Sequence, residues 1–326
     1  MDKFLNYINP YFYIIQARKF LYKKGLFKGF KIPIPVISVG NLSLGGSGKT
    51  SLVRFLCENL HFYFNITVLS RGYKRKSRGP IIVMERGKLK VDWEKAGDEP
   101  YLLGKIFEKK KMKISILVDE DRKKGGEIAI KELGAELIIL DDGFQHQRLK
   151  RDLDLVLLKK DDLKDRLFPF GKLREPLSSL KRADAIILSY QEYQPFDFSY
   201  NEKPVFKLYR KEWKILNKDL KEICEFKDKE FIAFCGLADN KQFFNILDKL
   251  GLKIKKKLSF PDHYHYKNFK LNPHQNYITT LKDGIKLNPQ ENLYFLDFNI
   301  EVKGLIEFIL KFLKCDMLKN NNQIKI

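Results

Sequence analysis

The sequence predicts an α/β fold: a P-loop-type parallel sheet with helices on both faces, then a second, smaller α/β unit joined to it by a short two-stranded connector. Three observations carry this. Apolar runs alternate with helical stretches from residue 32 to about 190, one run enters a glycine-rich loop that opens a helix, and the order changes between about 190 and 230 before alternation resumes.

The first 31 residues hold seven basic side chains against the single acid Asp2. No small-residue cleavage site follows an apolar run, which argues against a secretory signal. The charge-free stretch 4–17 is interrupted by Asn6, Asn9, Pro10 and Gln16, too short and polar to span a bilayer. As a helix from Pro10, residues 11–24 set Gln16, Lys19 and Lys23 on one stripe with Phe12 beside it. Tyr13, Ile14, Ala17, Phe20 and Leu21 share the other side. From the residues alone this suits either a helix lying in a membrane interface or one packed on the domain with its lysines in water.

Runs at 32–39, 66–69, 114–118, 137–140, 153–158 and 185–188 predict buried strands, with helices at 52–60 and 101–109 among them. Short pieces at 205–209 and 213–216 flank Arg210-Lys211 and predict the connector. Beyond it come a strand at 231–235, a helix at 241–250 capped by Asn240, strands at 253–260, 277–280 and 293–298, a helix at 304–314, and a frayed tail from Lys319. The expected division is residues 1–30, an amphipathic interface segment; 31–200, the phosphate-loop domain; and 201–326, the smaller domain with its connector.

Composition sets limits on function. With 326 residues, 44% hydrophobic and 32% charged, the chain is not a disordered one. Cys57, Cys224, Cys235 and Cys315 lie far apart, which excludes a disulfide scaffold or zinc ribbon and fits a reducing compartment. The net charge of +21 suits an anionic partner, yet it comes from 49 Lys and 13 Arg spread through every segment, as a solvated surface would also give. No RNP, zinc-finger or basic-zipper pattern supports a nucleic-acid partner.

The most specific motif is the strand at 36–39 running through Gly40, Asn41 and Leu42 into Ser43-Leu44-Gly45-Gly46-Ser47-Gly48-Lys49-Thr50 and then a helix. Glycines let successive N–H groups curl around phosphate oxygens. Lys49 supplies a cation for the terminal phosphates and Thr50 a hydroxyl for Mg²⁺. Ser43 stands where such loops usually open on glycine. A carboxylate ending a neighbouring strand should complete the metal site, and Asp141-Asp142 fit, Asp141 better; alone, Asp-Asp-Gly suits a turn equally well. The nearest match to a guanine-reading motif, Leu158-Lys159-Lys160-Asp161, lacks the Asn, which favours ATP.

These features together resemble the tetraacyldisaccharide 4′-kinases of lipid A synthesis. That family's loop has Val-Gly-Asn, then Gly-Gly-x-Gly-Lys-Thr without an opening glycine. Further blocks match in order: Ser70-Arg71-Gly72-Tyr73, Gly97-Asp98-Glu99-Pro100, Asp141-Asp142-Gly143-Phe144-Gln145-His146 and Leu173-Arg174-Glu175-Pro176. Phe260-Pro261-Asp262-His263 and Thr280-Leu281-Lys282-Asp283 follow. Departures are Ser51 for Pro, Lys74 for Gly and Leu281 for Glu.

The resemblance implies transfer of the ATP γ-phosphoryl group, with Mg²⁺, to the 4′-hydroxyl of an acylated disaccharide 1-phosphate lipid. It places the enzyme peripherally on the cytoplasmic face of the bacterial inner membrane, against anionic lipids. It further implies Asp98 as the base and His263 as its partner, with His265 the alternative two residues on. By its local sequence Asp98 is also an N-cap. Arg71 leads a basic loop suited to phosphates or to solvent, and Arg174 has the same two readings; Gln145 and His146 are expected to face the substrate. The competing function is a P-loop switch that hydrolyses nucleotide to control membrane attachment or assembly.

Overall fold

The computed structural model describes residues 9–226 and 228–321. Among them, thirteen strands form one sheet in the order β11-β10-β12-β13-β9-β8-β7-β1-β6-β2-β5-β3-β4.

Helix α1 (Pro10–Lys23) is capped by Asn9, whose side chain accepts from the Tyr11 N–H, with proline in the first turn. β1 (Val36–Asn41) starts later than the apolar run because Pro33 and Pro35 cannot donate to a ladder. It pairs in parallel with β6 (Leu137–Asp141) on one side and β7 (Leu153–Leu158) on the other. β2 (Ile66–Ser70), β5 (Ser115–Val118) and β8 (Ala185–Leu188) extend this parallel block. Helices α2 (Lys49–Leu60) and α4 (Asp98–Lys109) bury Leu52, Leu56, Leu103 and Phe107 against one face of it. α5 (Arg122–Lys131) and α1 cover the other through Ala129 and Ile15. Burial on both faces explains the continuous apolar runs and bears out helices on both sides. A one-turn helix α3 (Trp93–Ala96) precedes α4.

Three elements differ from expectation. β3 (Ile81–Glu85) and β4 (Lys88–Leu89) form an antiparallel hairpin on the edge at β5, which no run outlined above marks. The two pieces flanking Arg210 are one strand, β9 (Val205–Leu216). The two-stranded connector expected from them is therefore a single strand, which pairs antiparallel with β13 (Leu293–Val302), with a register shift between Asp297 and Asn299. β9 also pairs in parallel with β8, so it belongs to both halves of the sheet.

Beyond β9, a second parallel block comprises β10 (Glu230–Cys235), β11 (Lys253–Ser259), β12 (Asn276–Thr280) and β13. α6 (Asn240–Lys249) is capped by the Asp239 side chain rather than Asn240, which instead accepts from the Leu237 N–H. α7 (Leu281–Gly284) follows β12, and α8 (Leu305–Asn321) closes the chain, longer than its expected 304–314. Of the tail expected to fray from Lys319, residues 319–321 instead continue α8, and the remainder lies outside the described residues.

Candidate active site

The glycine loop lies at the C-terminal end of β1. Gly48, at φ +89°, caps α2 with no side-chain hydrogen bond, a left-handed conformation that a side chain would strain. Gly40, just upstream, allows Phe144 to approach: a Cβ there would meet the Phe144 Cβ at 2.4 Å. The loop's mouth is organised by Asn41. Its Nδ2 donates to the Ser43 carbonyl (2.7 Å), and its Oδ1 accepts from Lys49 Nζ (3.2 Å) and from Arg174. Leu44 gives its N–H to the Lys172 carbonyl at 2.7 Å, so that amide is already committed.

Asp141 ends β6 beside this loop, 2% exposed. Its Oδ2 accepts from Ser70 Oγ (3.3 Å), while buried Oδ1 has no hydrogen-bond partner. Burial, with Glu99 and Asp142 nearby, pushes the Asp141 carboxyl up to about 7 against the pull of Lys49 and Arg122. Asp142 is occupied differently. Arg174 donates to both its oxygens (2.8 and 2.9 Å) and Lys49 lies 3.5 Å away. Burial would raise its pKa, but Lys49 and Arg174 hold the carboxylate far below the usual range.

Asp98 sits opposite. It is not the cap of α4: Gly97 is, and Asp98 opens the first turn. Asp98 Oδ2 lies 3.0 Å from His263 Nδ1 and 2.9 Å from Lys286 Nζ. Burial acts to raise its pKa, yet the hydrogen bond from His263 and the Lys286 charge outweigh it, so the carboxyl stays below its ordinary value. His263 stands in the loop after β11, with the Tyr73 ring edge-on at 5.7 Å. His265 stacks near Trp93 instead, at 5.6 Å. Side chains from both halves of the sheet thus meet at Asp98.

The family model described as tetraacyldisaccharide-1-P 4'-kinase matches residues 8–314. The chain belongs to that family. A tetraacyldisaccharide 4'-kinase of Aquifex aeolicus is 52% identical over 292 residues, covering 89% of this chain and 91% of the relative. One from Halothermothrix orenii is 35% identical, covering 91% and 86%. The crystal structure of Aquifex aeolicus LpxK in complex with ATP superposes with a TM-score of 0.85 at 49% identity, covering 95% of this chain and 97% of that one. This kinase-family chain is therefore an enzyme, a phosphotransferase with the α/β architecture expected, and ATP and Mg²⁺ are its cofactors.

Within the family site, the expected residues fall into two groups. Asp98 pairs with His263, and Lys49 lies within electrostatic reach of Asp141. Others are engaged inside the protein. Gln145 gives its amide to the Asn41 carbonyl (2.8 Å), and Arg174 is held by Asp142 and Asn41. Arg75 of the basic loop is paired with Glu120 at 2.7 Å, whereas Arg71 is exposed. His146 keeps a buried Nε2 without a partner. Burial, with Arg122, Arg151, Arg18 and Arg148 around it, lowers its pKa to about 4. Among the described residues no three His, Cys, Asp or Glu side chains could hold a metal together. Mg²⁺ in phosphoryl transfer needs only one or two carboxylates beside phosphate oxygens. Asp141, with a free buried oxygen, fits; Asp142, neutralised by two cations, does not without breaking its pair with Arg174. Asn41 and Lys286 went unassigned in the sequence, although Asn41 stands within the Val-Gly-Asn run.

The raised Asp141 has a measurable cost. An unfolded aspartate titrates near 3.9, so between about 4 and 7 the folded state binds the extra proton and stability falls as pH rises. Asp141→Asn keeps the shape and removes the charge. In nucleotide- and metal-free protein it is expected to raise the melting temperature at pH 8 by about 2–4 °C and flatten the pH dependence between 4 and 7, while turnover drops. Melting curves at pH 5 and pH 8 check this; a variant no more stable than the parent at pH 8 contradicts it.

Proposed function

We propose that the chain transfers the γ-phosphoryl group of ATP to the 4′-hydroxyl of a tetraacyldisaccharide 1-phosphate, yielding the bis-phosphorylated lipid, with Asp98 and His263 as the proton-accepting pair. The observation that carries this is the 3.0 Å Asp98–His263 contact, formed between the two halves of the sheet. A hydroxyl attacking phosphorus must lose its proton, and a carboxylate oriented with an imidazole is suited to take it. Asp98 is ionised throughout the neutral range, so it is ready to accept. Lys49, at the mouth of the glycine loop, is placed to balance charge on the transferred phosphate, and Thr50 and Asp141 are the residues that would hold Mg²⁺. Bound Mg²⁺ would neutralise phosphate charge as it develops. Exposed Arg71, and His146 with its unsatisfied nitrogen, are the better candidates for the lipid's own phosphate; Gln145 and Arg174 shape the site from beneath. The division into residues 1–30, 31–200 and 201–326 belongs to the same reading, with β9 and β13 as the joint.

The test is transfer of radiolabel from γ-labelled ATP to the disaccharide 1-phosphate in detergent micelles. Labelled lipid is the expected product. ATP hydrolysis with release of the protein from vesicles, and no labelled lipid, would favour the switch reading instead.

A substrate with four acyl chains stays in a bilayer, so the enzyme must work at its surface. Among the described residues no helix is long and apolar enough to cross a membrane. α1 suits both roles open to it: Ile15 is buried in the cluster that includes Leu167 and Leu173, with Tyr11 and Phe12 packed against that cluster, while Tyr13, Ile14 and Phe20 are 54–63% exposed. Leu26 and Phe27 continue that apolar surface, with Lys24 and Lys28 exposed among them. The side chains of Lys19 and Lys23 lie outside the description. Such a face suits an anionic bilayer interface, the cytoplasmic side of the inner membrane. The double change Ile14→Ser, Phe20→Ser is expected to weaken sedimentation with anionic vesicles by about tenfold or more, with ATP affinity unchanged. Undiminished vesicle binding would remove α1 from this role.

A further inference from the structure

Lys286 lies just past α7, on the second half of the sheet. Its side chain is fully buried. The ammonium is 2.9 Å from Asp98 Oδ2, donates to the Tyr264 carbonyl at 3.1 Å and lies 4.0 Å from Asp283 Oδ1. A buried ammonium is tolerated only when paired and hydrogen-bonded, and here both conditions are met by groups of the candidate base. One partner is the carboxylate itself. The other is the main chain of the residue that follows His263, a residue held at φ +63°, in the left-handed region. A single cation therefore fastens both members of the pair, one from each half of the sheet.

Its local support is equally specific. Thr280 caps α7 by accepting from the Asp283 N–H at 3.1 Å, and Asp283 in turn accepts from the Gly236 N–H at 3.0 Å. Asp283 is wholly buried, so the loop that launches Lys286 is anchored to β10 and β12 and is not adjustable. The charged groups facing Asp98 are His263 and Lys286 in contact, Lys282 nearby, Glu99 on its own helix, and Asp262, which lies 3.8 Å from His263 and 3.3 Å from Lys282. Of these, Lys286 is the full cation touching the carboxylate.

We propose that Lys286 is a positioning residue for phosphoryl transfer: by bridging Asp98 and the main chain beside His263, it fixes the geometry of the pair and keeps the carboxylate charged. This rests on the reading of Asp98 and His263 as the proton-accepting pair. Without the cation the carboxylate is free to rotate off the imidazole, and the proton affinity of the pair rises, because the ionised form loses its nearest positive charge.

The experiment is the pH dependence of kcat/KM for the full chain, with ATP, Mg²⁺ and the disaccharide lipid in detergent, comparing K286M, K286R and D98N. K286M is expected to lower kcat about tenfold or more, leave KM for ATP unchanged and move the acid limb to higher pH by about one unit. K286R is expected to restore the limb and most of the turnover, since the guanidinium carries the same charge. A folded, ATP-binding K286M with the parent's acid limb overturns the proposal, as does K286R with a limb no closer to the parent's than K286M's. Should K286M fail to fold, K286Q, uncharged but polar and one bond shorter, is read by the same two outcomes. If D98N keeps full turnover, the base assignment fails and this inference with it. If D98N is inactive while the acid limb of K286M is unmoved, only the role of Lys286 fails.

Discussion

Asp98→Asn is expected to lower turnover by about 10²–10⁴-fold while ATP affinity stays within about twofold. Asparagine keeps the size of the side chain and can still accept from Lys286, but it cannot take a proton. Asp98 contacts His263 and Lys286, and neither belongs to the glycine loop, so the nucleotide should bind as before. The two measurements are therefore separable: isothermal titration with ATP, and initial rates of lipid phosphorylation. Equal losses in both would reject Asp98 as base and make it a part of the nucleotide site. His263→Ala should reproduce a smaller share of the loss, since it removes the partner that orients the carboxylate and leaves the acceptor in place.

Lys49→Met is the second large effect. The ammonium lies 3.2 Å from Asn41 Oδ1 and 3.5 Å from Asp142 Oδ1, at the opening of α2. Methionine preserves the apolar stem and deletes the charge. Removing one preorganised cation from a developing phosphoryl charge costs about 10²–10³ in kcat, and ATP affinity should weaken too, because ground-state phosphates lose the same contact. The fold should hold: Asp142 retains both hydrogen bonds from Arg174. Rates and ATP titration on the same preparation give the split, and a loss confined to affinity would show that Lys49 acts only in binding.

Much of this site was legible in the sequence because its parts are local. A strand, a glycine run and Lys-Thr occupy consecutive residues, and Asp141 ends the next buried run. The parts that escaped are those made by distant chain meeting distant chain. Lys286 looks like one more surface lysine in a chain with 49, and only the fold reveals that it is buried against Asp98. The 205–216 segment reads as two pieces because Arg210-Lys211 and Glu212 interrupt its apolar pattern. Arg210 is tolerated within the strand because its guanidinium pairs with Glu192 at 2.5 Å and stacks over Tyr190 and Trp213. The β3–β4 hairpin escaped because β4 is two residues long. Asp142 was drawn toward metal by its neighbour; the bidentate Arg174 that claims it is 32 residues away.

The antiparallel pairing of β9 with β13 sets the two parallel blocks running in opposite senses. In a flat sheet, the loops that follow their strands would then emerge on opposite margins. Sheets coil as they twist, and the 3.0 Å contact between Asp98 and His263 joins the opening of α4 to the loop after β11 across this change of sense. The register shift after Asp297 adds to that coil, and Arg54 of α2 grips Asp297 at 2.7 Å on the same stretch. Arg54, in the second turn of the helix that the glycine loop opens, thereby ties that helix to the strand on which the two halves of the sheet meet.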